Sequence, residues 1–255
     1  STFTDTAGNF WFYSGIDIGN AYSDVWKFDP NPASSNYTMW TWMQGTSSLN
    51  TVAVYGTQGV PAAANTPGSR GAGTYSWVDK KGKFWVYGGW CQIAGTPTLV
   101  SGMWKYDPVI NQWAWMHGAQ TNNLAPVYGV KGVSDPANTP GARFEVTTAW
   151  TDNAGNLWLF GGQGKVAPGI PYMNDLWKYD VSINEWTWMH GSSSSNQFSV
   201  FGTKGVSSPN NCPSGRAVYS HWKDASGNFW IYGGYGRVHA AGNLGTLSDL
   251  WKYDI

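Results

Sequence analysis

The chain has 255 residues, no net charge and only 12% charged residues. That length can bury a substantial core, and Lys and Arg form no cluster that would mark a nucleic-acid or anionic-membrane footprint. No apolar run approaches the roughly 18 residues of a membrane span, so membrane insertion is not expected.

In chain order, the sequence opens Ser1-Thr2-Phe3-Thr4-Asp5, with neither Met nor an apolar leader. It therefore reads as a processed product or a piece of something longer. Gly8-Asn9-Phe10-Trp11 follows, then Trp26-Lys27-Phe28-Asp29, then Trp40 to Met43, then Val54-Tyr55-Gly56. The same series returns further on. Trp11, Trp85, Trp158 and Trp230 are spaced by 74, 73 and 72 residues. Trp-Lys-aromatic-Asp recurs at Trp104, Trp177 and Trp251, and Trp-x-Trp-Met at Trp113 and Trp186. Val-aromatic-Gly recurs at Val127 and Val200, and a lone Arg follows the Pro/Gly turn at Arg70, Arg143 and Arg216. Phe3, Trp77, Trp150 and Trp222 precede the first hairpin of each unit. Only Trp90 of the 18 Trp residues falls outside these columns, so the Trp richness serves the architecture. The units are 1–69, 70–142, 143–215 and 216–255.

Each unit reads as four strands. In the third, Phe144 to Asp152 is the first strand, Leu157 to Gly162 the second, Asp175 to Asp180 the third and Glu185 to Met189 the fourth. A Gly/Ser/Pro/Asn-rich connection from His190 to Ser214 leads onward. The second strand is apolar on both faces, so its sheet must be sandwiched between neighbours, as in the radial stack of a propeller. The expected fold is all-β, with four-stranded antiparallel blades of about 73 residues and incomplete blades at both ends. Two completions remain open. Further blades from additional chain or from a second copy are the expected one, and a small four-bladed ring is the other. Cys91 and Cys212 occupy non-equivalent places in the repeat, which leaves a disulfide and two free thiols both open. Asn36-Tyr37-Thr38 is one glycosylation sequon, relevant in a secretory host.

The Gly pairs closing the second strand (Gly88-Gly89, Gly161-Gly162, Gly233-Gly234), with Tyr106 and Trp113 or Tyr179 and Trp186 at fixed separation, resemble the kelch repeat. The first unit departs from it, with Ser14-Gly15 in place of the pair and an insertion around Pro32 to Asn36. More narrowly, the chain resembles the long-unit kelch arrays of secreted bacterial proteins. The resemblance implies a β-propeller and an extracellular location; it implies no activity, because propellers host many functions. Galactose oxidase-like members carry copper on two His, two Tyr and a Cys cross-linked to one Tyr. His117, His190, His221 and His239 form no such motif here, so neither copper nor another cofactor is expected.

A side chain that recurs in every unit usually serves the fold, whereas catalysis needs a unique constellation. The non-repeated polar residues are Asp17, Asp135, Glu145, Lys165, Glu185, Arg237 and His239, with Glu145 inside an expected strand. They make no glycosidase carboxylate pair, and no zinc cluster, phosphate loop or nucleophile elbow is present. No enzyme activity is expected. Arg70, Arg143 and Arg216 read as structural ion pairs or, more sharply, as an axial anion or sugar site. The variable loops between second and third strands carry Trp90, Tyr172, Tyr235, Arg237 and His239, which suit a protein or glycan partner. The expected function is a non-catalytic extracellular binding or adhesion module. A lectin with repeated inter-blade sites and a building block of an extracellular assembly are the alternatives.

Overall fold

A computed structural model describes residues 1–93, 95–145, 150–165, 171–238 and 243–255. No helix occurs among them; the chain is all-β, built of propeller-type antiparallel sheets. It divides into two compact units, Ser1–Leu124 and Ala125–Ile255, each holding two sheets of four or more strands among the described residues.

In the first unit, one sheet runs Thr2–Thr4, Phe10–Tyr13, Val25–Phe28, Trp40–Gln44, each strand antiparallel to the next. The other runs Tyr75–Val78, Phe84–Tyr87, Met103–Asp107, Gln112–His117. In the second unit, Leu157–Gly164, Tyr172–Asp180 and Glu185–His190 form the body of the third sheet. Arg143–Phe144 and Trp150–Thr151 pair with its second strand, and Ser134–Asp135 lies along its outer edge. The fourth sheet pairs Arg216–Ala217 and Ser220–Lys223 with Phe229–Arg237, which pairs in turn with Leu244–Tyr253. The first sheet thus has all four strands, although incomplete blades were expected at both ends. The fourth sheet has no counterpart of the outer strands Trp40–Gln44, Gln112–His117 and Glu185–His190 among the described residues.

The first hairpin of each sheet is tied by one carboxylate. Asp152 Oδ1 accepts from the backbone N–H of Gly155 and of Asn156, each at 2.8 Å. Its Oδ2 accepts from Asn156 Nδ2 and Trp158 Nε1, also at 2.8 Å. Asp5 and Asp224 repeat the pattern through Trp11 and Trp230, and Asp79 holds Trp85. This explains the fixed spacing of Asp, turn and Trp: the carboxylate caps the turn and fixes the indole that follows. Burial raises the pKa of Asp5 and Asp152, but the hydrogen bonds from these turns outweigh it and hold both carboxyls below the usual range. The Trp230 and Asn228 bonds hold Asp224 down to about 2. A depressed folded-state pKa gives stability that is present above the unfolded value of about 3.9 and lost as pH falls through the folded one. Stability should therefore be flat down to about pH 5 and fall between about pH 4 and 2. A urea midpoint that holds constant across that lower window would contradict this role.

The core of each unit lies between its two sheets, and the packing is the same in both. Phe3 stacks on Phe84 with centroids 4.7 Å apart and planes 7° apart; Trp150 stacks on Phe229 at 4.7 Å and 6°. Trp11 meets Phe84 edge-on at 5.4 Å and Tyr106 at 5.9 Å; Trp158 meets Phe229 and Tyr253 at the same two distances. Offset and edge-on pairs of this kind add about 0.5–1.5 kcal/mol each beyond area burial. The third-strand Lys lies across the second-strand Trp, with Lys105 Nζ 5.5 Å from the Trp85 ring.

The long connections are closed loops, not slack. Val54 bridges Thr66, Val127 bridges Thr139 and Val200 bridges Cys212. Asn138 Nδ2 donates to Val133 O and to Trp186 O in the fourth strand, and Asn65 Nδ2 does the same to Val60 O and Trp113 O. Gly129 backs onto this Asn with φ +58°, and a Cβ there would lie 2.3 Å from Asn138 Oδ1. The Gly of Val-aromatic-Gly is required by that close approach.

Candidate functional site

The variable loops between second and third strands are largely β-hairpins. Trp90–Ile93 pairs with Thr96–Leu99, and Phe229–Arg237 continues past its Gly pair to meet Leu244–Tyr253. The pairing shifts register between Tyr232 and Gly234 and between Phe160 and Gly162. Gly161, Gly162, Gly233 and Gly234 all have positive φ and form bulges, whereas Gly88-Gly89, also at positive φ, closes its strand after Tyr87 as expected. The expected end of the second strand at Gly162 is thereby corrected to Gly164.

Tyr172 and Tyr235 come together, with ring centroids 6.0 Å apart. Tyr172 is buried and Tyr235 is exposed. Arg237 lies two residues beyond Tyr235 on the same strand, hence on the same face. Burial pushes the Tyr172 phenol above its ordinary pKa, partly offset by a hydrogen bond with Gln163. Trp90 is half-buried in the other unit, where its backbone pairs with Gly71 and Ala72. His239 lies outside the described residues.

The three repeated arginines are buried. Arg143 donates from Nη1 and Nη2 to the two oxygens of Asp175, both at 2.9 Å, and from Nη1 to Gly161 O at 3.0 Å. Arg216 grips Asp249 in the same way at 2.5 and 2.7 Å and reaches Gly233 O at 3.1 Å. Trp177 Nε1 and Tyr128 Oη add donors to Asp175 at 2.8 and 2.9 Å. These are structural ion pairs in geometry, and the guanidinium forks of Arg143 and Arg216 are filled by carboxylates. Arg70 has the same posture toward Gly88 O, but Gly102 stands where the other units carry Asp175 or Asp249. The repeated Asp-x-Trp column at Asp24, Asp175 and Asp249 was visible in the sequence. Its gap at Gly102 was the missed signal.

The non-repeated residues do not converge. Asp135 caps its own turn through Ala137 N at 2.8 Å, Asp17 pairs with Asn20 in a short hairpin, and Glu185 faces Asp180. Glu145 is not in a regular strand, as had been expected; it turns at φ 58° just after Arg143–Phe144. Val218 turns in the same way after Arg216–Ala217, at φ 53°. His117 is buried, His190 Nε2 lies 3.1 Å from Pro209 O, and burial lowers the pKa of His221. No group of three or more His, Cys, Asp or Glu is placed to hold a metal ion among the described residues. Cys91 and Cys212 are both free and buried, and burial pushes the Cys212 thiol up to about 11.

Two outward faces stand apart. On the first sheet Phe10, Phe12, Trp40 and Trp42 are exposed, whereas Phe84, Val86 and Trp113 at the equivalent places of the second sheet are buried. On the fourth sheet Trp222, Tyr232 and Leu250 are exposed, whereas Trp150, Phe160 and Leu176 of the third are buried. Each face is an apolar patch of the kind that marks an interaction surface.

Among the described residues, no helix is long and apolar enough to cross a membrane. No family model matches the chain, and no curated protein matches it. A solved structure described as "Structure of YjhT" is similar at 12% identity and a TM-score of 0.49, covering 92% of this chain. The chain spans 64% of the length of that structure.

Proposed function

We propose that this chain is a non-catalytic, extracellular binding or adhesion module of the kelch type, which recognises its ligand with the hairpin of the fourth sheet. The observation that carries this reading is the exposed Tyr235, in ring contact with Tyr172 and beside Arg237. An aromatic face next to a guanidinium suits a sugar ring or a protein anchor side chain. Low charge and abundant Gly, Ser, Asn and Trp support secretion. A glycan array probed with the chain and with Tyr235→Ala tests the sugar form of the reading. The expected result is a bound glycan whose affinity falls at least about tenfold, or about 1.4 kcal/mol, in the variant. Undiminished binding by the variant would move the site away from this hairpin. No binding at millimolar sugar would leave a protein as the ligand class.

The second reading, a building block of an extracellular assembly, is favoured by the two exposed aromatic faces. They are the two halves of the packing that joins the sheets inside each unit, and a second copy is the occupant that supplies both.

A further inference from the structure

The repeat supplies its own template for a buried anion. In the third sheet the Asp175 carboxylate collects four donors: Arg143 Nη1 and Nη2, Trp177 Nε1 and Tyr128 Oη. In the fourth sheet Asp249 collects Arg216 and Trp251 Nε1 at 2.7 Å. In the second sheet all the donors are present and the carboxylate is not. Arg70 is 1% exposed and Trp104 is 0% exposed. Tyr55 sits on Trp104 at 5.2 Å and on Trp115 at 5.3 Å, as Tyr128 sits on Trp177 at 5.3 Å and on Trp188 at 4.9 Å. Trp104 Nε1 has no acceptor among the described residues, whereas Trp177 and Trp251 each have one. A Cβ on Gly102 would lie 2.7 Å from Trp104 Nε1 and 3.4 Å from Arg70 Nη2, so these donors surround the place where the carboxylate would start.

The charge balance there is unfavourable as it stands. A guanidinium does not deprotonate in a protein, and a buried charge without a counter-charge is costly. Its near neighbours do not supply one. Burial pushes Tyr13, Tyr55 and Cys91 above their ordinary pKa values, so all three are neutral near pH 7. Asp24, in the same unit, accepts from Trp26 Nε1 at 2.6 Å, and no ion pair joins Arg70 to a carboxylate among the described residues.

We propose that the second sheet binds a small monovalent anion, a carboxylate such as formate or acetate or a halide of similar size, between Arg70, Trp104 Nε1 and Tyr55. The ion takes the place that Asp175 and Asp249 occupy in the other sheets. Arg70 and Trp104 are buried and Tyr55 is half-buried over them, so the ligand is a small free ion, not a side chain of a partner protein.

Thermal unfolding of the 255-residue chain in bromide, formate and acetate, against sulfate at matched ionic strength, reads the site. A crystal soaked in bromide locates it by anomalous scattering. The expected result is a saturable rise in Tm with the monovalent ions and a bromide peak within hydrogen-bond reach of Arg70 and Trp104. A larger rise with formate than with bromide would show that the two-oxygen geometry is used. Gly102→Asp supplies the carboxylate from the chain and should raise Tm in sulfate while abolishing the response to added anion. Gly102 has no positive φ, so its backbone accepts a side chain, though the Trp104 indole must shift. Trp104→Phe keeps a ring and removes the donor, and should weaken the response severalfold. A Tm indifferent to the identity of the anion, or a bromide peak only elsewhere, would overturn the proposal. An anion response that persists in Trp104→Phe and Gly102→Asp would overturn it as well.

Discussion

Replacing Asp175 by Ala should cost about 3–5 kcal/mol of stability, more than any other single polar substitution in the described fold. Asp175 and Arg143 are fully buried on their side chains. The carboxylate answers four donors from three separated segments: Arg143, Tyr128 and Trp177. Removing it leaves the buried guanidinium without its counter-charge and takes the acceptor from the Trp177 indole N–H and the half-buried Tyr128 phenol. Asp249→Ala is the internal comparison. Its side chain is 15% exposed, so water reaches the broken pair and the cost should be smaller. Replacing both partners, as Arg143→Met with Asp175→Leu, should recover most of the loss, because the pair itself repays little beyond its own desolvation. The shift of the urea midpoint, followed by Trp fluorescence, measures all three. A cost below about 1 kcal/mol for Asp175→Ala would mean that water already enters the site, and would remove the template for the anion site in the second sheet.

The sequence made the repeat legible because its marks are large and rigidly spaced. The hairpin Asp and its Trp are six residues apart on one turn, and a single carboxylate sets that spacing. The strand pattern Leu-Trp-Leu-Phe likewise announces burial on both faces, which Leu157–Gly164 shows, whereas Phe10–Tyr13, of the same kind, buries only one. Three other features were not legible in the same way. The Gly pair reads as a stop, and is one after Tyr87, yet in the third and fourth sheets the strand resumes beyond a bulge at the pair. Glu145 reads as a strand residue, but it turns at φ 58° directly after the short strand Arg143–Phe144, as Val218 does after Arg216–Ala217. The pairing of Arg143 with Asp175 spans 32 residues, and only the strand register brings them together. A periodic pattern gives spacing along the chain; it does not say which columns face each other. The column that most repays attention was one in which a single unit breaks the rule, Gly102 in place of Asp.

In solution the chain should self-associate head to tail, and two charge substitutions should abolish this separately and restore it when mixed. Within each unit, a first-strand ring stacks on a second-strand Phe of the next sheet, and a second-strand Trp abuts that Phe and a third-strand Tyr. The fourth sheet presents the first half of this arrangement outward, with Trp222 43% exposed and stacked on Trp230 at 5.9 Å. The first sheet presents the second half, with Phe10 43% exposed, Phe28 at 6.3 Å from it and Trp40 flanking Phe28 at 5.0 Å. Trp222 of one copy should therefore stack on Phe10 of the next, as Trp150 stacks on Phe229. Two different faces meet in such a contact, so it is heterologous: it closes into a ring or extends into a filament. Phe10→Glu blocks one face and Trp222→Glu the other, and each variant alone should sediment as a monomer of about 27.9 kDa. An equimolar mixture retains one intact pair of faces and should give a dimer of twice that mass. Both substitutions lie on exposed positions, and an unchanged far-ultraviolet spectrum would show that the sheets persist. Wild type at 27.9 kDa at every concentration would sink the head-to-tail contact. So would one variant that assembles as well as wild type while the other does not, which would point to an isologous pairing of the second variant's face with itself. A mixture that stays monomeric would show that the two faces do not recognise each other, and the aromatic surface of the first sheet would then need a partner of different chemistry.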